Sequence, residues 1–117
     1  MRDHFKLIAY KLADELAILI YKATRFFPKD EIYGLTSQLR RACVSVPSNI
    51  VEGCARTTQT EFCRFLDMAY GSLKELDYQF SLAIRLDYVN EQDQNVTVNK
   101  IVETEKVLSA LIRKFRK

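Results

Sequence analysis

The sequence has little of the material that tight turns and catalytic centres need. It carries three glycines and two prolines in 117 residues, too few for a many-stranded sandwich or barrel, which turns about every ten residues. Tryptophan is absent and histidine occurs once, at His4, so a histidine-built metal centre or a Cys-His nucleophile pair is poorly supplied. Cys43, Cys54 and Cys63 are odd in number and lack C-x-x-C spacing, which argues against a disulfide framework and a zinc ribbon. All three fall at apolar-periodic or helix-start positions, where a thiol serves as a small core residue. No apolar run approaches the roughly 18 residues of a membrane helix. The N-terminal "MRDHFKLIAYKLADEL" is too charged for a secretory signal. The expectation is a cytoplasmic protein with no membrane partner. A Gly-rich phosphate loop and a G-x-S-x-G turn are missing too. The carboxylates Asp67, Glu75 and Asp77 stand beside Arg64 and Lys74 and read as ion-paired surface. The protein is therefore expected to be no enzyme, with no cofactor and no metal.

What is present is long amphipathic periodicity. An apolar fraction of 48% with 28% charged residues suits one soluble domain over residues 1–117. Between Phe5 and Phe27, Phe5, Ile8, Leu12, Leu16, Leu19, Ala23 and Phe26 step by three or four and predict an inward helix face. Pro28 ends that helix, and Asp30 or Glu31 suits the start of the next. The second helix must pass through Pro47. That residue deletes the bond to the Cys43 carbonyl at about 3 kcal/mol. Yet Leu39, Ala42, Val46 and Ile50 keep one phase across it, which predicts a single kinked helix. Gly53 is placed for a close approach near its end.

Thr58-Gln-Thr-Glu61 is a capping box that opens a third helix. Its stripe is Phe62, Phe65, Leu66, Ala69, Leu73, Leu76, Phe80 and Ala83, with Gly71 expected to allow close backbone approach. Residues 90–95, "NEQDQN", read as a connection. A last helix follows with Val98, Ile101, Val102, Leu108, Ile112 and Phe115 inward. The expected fold is all-α, an up-down-up-down four-helix bundle with a proline-kinked second helix.

Three helices carry a second apolar seam opposite the first. Leu7, Tyr10, Ala17 and Tyr21 form one, Val44, Val51 and Ala55 another, and Gly71, Tyr78 and Leu82 a third. Such seams predict burial against other subunits. Gln38, Arg41, Ser45, Ser48, Asn49, Glu52 and Arg56 make a polar stripe on the second helix. It reads either as a solvated face with a Glu52–Arg56 pair or as a hydrogen-bonding surface for a subunit or ligand. Charge is segregated: residues 1–56 carry +3, residues 57–93 carry −4 and residues 94–117 carry +4. The terminal "RKFRK" either complements a helix dipole or contacts phosphate.

The stretch "FPKDEIYGLTSQLRRACVSVPSNIVEGCAR", followed by "EFCRFLDMAYGSLKEL", closely resembles a family of bacterial four-helix-bundle proteins. These were first described as encoded by intervening sequences in 23S ribosomal RNA genes and were formerly called S23 ribosomal proteins. The similarity runs from about Phe27 to Tyr88. It implies a homopentamer, a ring of bundles around an axial channel. The accessory variability proteins of diversity-generating retroelements look similar in fold and partner a reverse transcriptase and nucleic acid. By residue type, Arg40, Arg41 and Arg56, with the terminal Arg113, Lys114, Arg116 and Lys117, are the candidates for binding RNA or DNA. The alternative is an oligomeric scaffold docking a protein such as a reverse transcriptase.

Overall fold

The computed structural model describes residues 2–116, and all regular structure among them is helical. Four helices carry the fold: α1 (Ile8–Thr24), α2 (Leu35–Cys54), α3 (Gln59–Arg85) and α4 (Glu91–Phe115). Short 3-10 turns, His4–Lys6 and Lys29–Glu31, precede α1 and α2. Each helix packs on two neighbours, so that α1 and α3 both lie between α2 and α4. Cross-helix contacts run antiparallel, as Gly53 against Phe65, Ser45 against Ser72 and Gln38 against Gln79 show for α2 and α3. The molecule measures 43 × 25 × 21 Å, close to the roughly 40 Å length of a 27-residue helix.

Side-chain caps set the starts of α2, α3 and α4. The Thr58 hydroxyl accepts from the Glu61 N–H at 3.1 Å, which realises half of the capping box. The α2 start differs from the expectation. Asp30 and Glu31 occupy the 3-10 turn, and the Glu31 carboxylate reaches forward to accept from the Leu35 N–H at 3.1 Å. Its other oxygen accepts from the Tyr88 hydroxyl at 2.8 Å. These two donors hold the Glu31 carboxyl below its usual pKa. The connection before α4 is also shorter than expected. Asn90 caps the helix by accepting from the Asp93 N–H at 2.8 Å, so residues 91–95 belong to α4. Asp87, at φ 62°, closes α3 in the left-handed conformation. The Asp87 and Tyr88 amides bond back to Ile84 and Ala83, a Schellman closure with aspartate where glycine is usual.

The core confirms the stripes of α2 and α3 and corrects those of α1 and α4. Leu39, Val46, Ile50, Phe62, Leu66, Leu73, Leu76 and Phe80 are all buried. Along the expected first stripe, by contrast, Phe5 and Phe26 fall outside α1 and are exposed with Ile8, and Leu19 is half-buried. Ala9, Ala13, Ile20 and Phe27 are buried with Leu12, Leu16 and Ala23. On α4, Val102 is exposed while Thr97 and Thr104 are buried beside Ile101, Leu108 and Ile112. Thr104 tolerates burial because its hydroxyl donates to the Lys100 carbonyl at 2.6 Å.

The two helical glycines in question part ways. A Cβ on Gly53 would stand 2.8 Å from the Phe65 Cβ, so α2 and α3 meet there at backbone range. A Cβ on Gly71 would meet nothing within 4 Å, so the expected close approach at Gly71 does not occur. Pro47 lies inside an uninterrupted α2. One turn away, the Asn49 amide donates to the Ser45 carbonyl at 2.9 Å and to its hydroxyl at 3.0 Å. That same hydroxyl meets Ser72 of α3 at 2.8 Å.

Candidate nucleic-acid interface

The basic residues fall into three settings. Arg40 is committed to the fold: its Nε donates to the Thr24 hydroxyl at 2.9 Å, and its guanidinium lies 4.9 Å from the Tyr21 ring centre. It ties α2 to α1 and is a poor phosphate arm. Arg56 is half committed. It pairs with Glu52 at 2.9 Å and stacks on Phe65 at 4.6 Å. Its Nε is buried without a hydrogen-bond partner. Arg41 is exposed and forms no ion pair among the described residues.

The third setting is the end of the bundle where α4 finishes, α3 starts and the N-terminus packs. The Arg2 amide donates to the Cys54 carbonyl at 3.0 Å, and its guanidinium lies 4.0 Å from the Phe62 ring centre. Gln59 donates to the Phe115 carbonyl at 2.7 Å, and Phe115 meets Phe62 edge to face. Arg113 and Lys114 are exposed here and hold no acidic partner among the described residues. Arg116 pairs with Asp67, and Lys117 lies outside the described residues. Arg56, Arg64 and Lys6 sit around the same end, against Asp3, Glu52, Glu61 and Asp67. The opposite end, around residues 85–93, mixes Asp30, Glu31, Asp87, Glu91 and Asp93 with Arg25, Lys29 and Arg85. The acidic stretch of the sequence is mostly α3 and the basic stretch mostly α4, and both run the length of the bundle. Of the seven basic candidates, Arg113, Lys114 and Arg116 stand together. Arg41 stands apart, roughly 20 Å along α2 from Arg56 by helix rise.

The seams are unequal too. Tyr21, Val44 and Tyr78 are exposed, as is Ala55, and Val51 is half-buried. Leu7, Tyr10 and Leu82 instead pack partly against the chain's own core. The polar stripe of α2 is absorbed by α3 along one edge, through Ser45–Ser72 and Gln38–Gln79, while Ser48 and Glu52 remain exposed. Between α1 and α4 lies a groove of about 310 Å³ lined by Leu7, Ile8, Ala9, Val107, Ala110 and Leu111, with Lys6 and Lys114 at its rim. Sequence periodicity alone does not find it, because Ile8 reads as core.

Buried thiols line no site. Burial pushes the Cys43 thiol up to about 12 and raises Cys54 as well. Among the described residues no group of three His, Cys, Asp or Glu side chains converges as a metal site would require. No helix among them is long and apolar enough to cross a membrane.

Fold and surface together define a small all-α bundle with a basic end and a polar α2–α3 edge. The model of the 23S rRNA-intervening sequence protein family matches residues 5–110, and the chain belongs to that family. A crystal structure of a protein of unknown function from the S23 ribosomal protein family of Bacteroides thetaiotaomicron superposes with a TM-score of 0.82. The two are 22% identical over 91% of this chain and 96% of the other, a likeness of fold. No curated protein matches the chain.

Proposed function

We propose that the protein is a non-enzymatic homo-oligomer, a pentameric ring of bundles, that binds RNA through basic residues at one end of each subunit. The observation that carries the reading is the cluster of Arg113, Lys114 and Arg116 at the end shared by the N-terminus and the α2–α3 junction. Arginine grips phosphate in a planar, two-toothed geometry, and a ring multiplies weak contacts by its subunit number. Arg41 adds a contact farther along the bundle. Arg40 leaves the set, since Thr24 and Tyr21 hold it.

Self-association is supported by Val44 and Tyr78, apolar groups left in solvent on α2 and α3. A protein-docking reading is favoured by one specific feature, the apolar groove between α1 and α4. Salt separates the two: phosphate binding weakens with a slope of about −0.7 per contact on single strands, whereas groove docking holds.

The test is a salt titration of binding to structured RNA, with light scattering for subunit number. Affinity should fall steeply with salt and should drop when Arg113, Lys114 and Arg116 become alanine. No binding at low salt, or no effect of the triple change, refutes RNA binding. A monomer at micromolar concentration refutes the ring.

A further inference from the structure

One polar cavity is left unexplained by core, caps or charge clusters. It opens between α2 and α3, holds about 200 Å³, and is lined by Gln38, Arg41, Glu75 and Gln79. Gln79 is only 7% exposed. Its Nε2 donates to Gln38 Oε1 at 3.4 Å, and its Oε1 is buried with no partner. Buried amide oxygens are nearly always satisfied, so this unmet one shows that the polar wall behind the cavity is incompletely partnered. Arg41 and Glu75 share the cavity wall but do not pair with each other or with any described residue. Donor and acceptor charge therefore stand side by side, both unspent.

The geometry points to a site for one unpaired guanine base, an inference that rests on the RNA-binding reading. The lining asks for a group that accepts from a guanidinium and donates to a carboxylate. Guanine does this along two adjoining edges that meet at O6. Its O6 and N7 accept two bonds from arginine, and its N1–H and N2–H groups give two parallel bonds to a carboxylate. In the assignment, Arg41 takes O6 and N7 and Glu75 takes N1–H and N2–H, with the Gln38 and Gln79 amides forming the wall beside them.

Competitors fit worse for stated reasons. Adenine turns the lone pair of N1 toward Glu75, carries C2–H where guanine has its amino group, and presents its N6 amino donor to Arg41 where guanine presents O6. The pyrimidines lack N7, so the arginine fork is half empty. A backbone phosphate would satisfy Arg41 but face the Glu75 carboxylate, which repels it. A base in a duplex has its pairing edge occupied, so the site requires a single strand or a loop.

The test uses full-length protein in two arms. In the first, NMR follows the Gln38 and Gln79 side-chain amides during titration with 5′-GMP, 5′-IMP or 5′-AMP. Shifts with GMP, weaker ones with IMP, which lacks the N2 amino group, and none with AMP are expected. In the second, uridine octamers carrying one central G or A are titrated at fixed low salt. A preference for G of about tenfold is expected. Glu75→Gln should abolish it, while the lost negative charge raises the affinity for both octamers slightly. Glu75 is exposed, so this change spares the fold. Arg41→Lys, which keeps the charge but loses the fork, should lower the preference as well. Octamers that bind without base preference, with no GMP shifts, overturn the guanine site and leave RNA binding standing. GMP shifts with no octamer affinity support the site and overturn single-strand binding. Absence of both overturns the guanine site, and the structured-RNA titration decides RNA binding separately.

Discussion

The α2–α3 half and the α1–α4 half of this bundle are built to different standards. Gly53 lets α2 and α3 meet at backbone range, and the Ser45–Ser72 and Gln38–Gln79 pairs add polar register marks along the same edge. Across from it, α1 contributes Ala9 and Ala13, α4 contributes Thr97 and Thr104, and an apolar groove of about 310 Å³ remains between them. A Lys100–Glu15 ion pair at 3.7 Å joins the two helices, and such an exposed pair contributes little. The first half is keyed to one arrangement. The second relies on bulk burial and leaves surface for a partner.

Substitutions at the two kinds of contact should differ most. Leu108 of α4 is fully buried, and Leu108→Ala should lower stability by about 3 kcal/mol through the cavity it leaves. Gly53→Ala drives a Cβ against Phe65 and should lower it by about 2 kcal/mol. Gly71→Ala, in open space, should raise stability by about 0.5–1 kcal/mol from helix propensity. Urea melts of the three variants check all of this. Equal effects at Gly53 and Gly71 would remove the backbone-range approach of α2 and α3 at Gly53.

These differences also explain what was legible beforehand. On α2 and α3 the large apolar residues form one stripe each, so phase and burial coincide, and even Pro47 does not hide the phase. In and around α1 the large side chains Phe5, Ile8 and Phe26 compete with Ala9, Ala13 and Ile20, and size favours the wrong set. The buried face is shifted in phase, running through Ala9, Leu12, Ala13, Leu16, Ile20 and Ala23. On α4, buried Thr97 and Thr104 look polar in sequence, and only the bond from Thr104 to Lys100 shows why burial is tolerated. The basic end was visible as a charge excess. The loss of Arg40 to Thr24 and Tyr21 was not, because it depends on a helix sixteen residues away in sequence. The cavity at Gln79 was hidden for the same reason: it needs α2 and α3 in register.

Thiol reactivity grades the packing without changing the sequence. At pH 8, Cys63, half-buried on α3, should react with a thiol reagent first. Cys54 is buried and its pKa is raised, so it should follow slowly. Cys43, at about 12, stays protonated and should react only when the bundle opens. Cys43 labelling as fast as Cys63 would mean that the α1–α2 contact opens readily.

The smallest effect lies at the turn between α1 and α2, where Glu31 joins the α2 start to Tyr88. Its carboxyl is held below the ordinary value of 4.5, first by the Leu35 amide and then by the Tyr88 hydroxyl. A depressed folded pKa means that the stabilisation is fully present above 4.5 and is lost as pH falls through the folded value. The same bond raises Tyr88 above 10. On that side the stabilisation is present below 10 and is lost as pH rises through the folded value. Glu31→Gln should therefore lower the melting temperature slightly at pH 7 and match the parent protein at strongly acid pH. Tyr88→Phe should shrink the neutral-pH difference between parent and Glu31→Gln without erasing it, because the Leu35 bond remains. A Glu31→Gln deficit that persists unchanged into acid would assign the role to shape and not to charge, since by then the parent carboxyl is neutral as well.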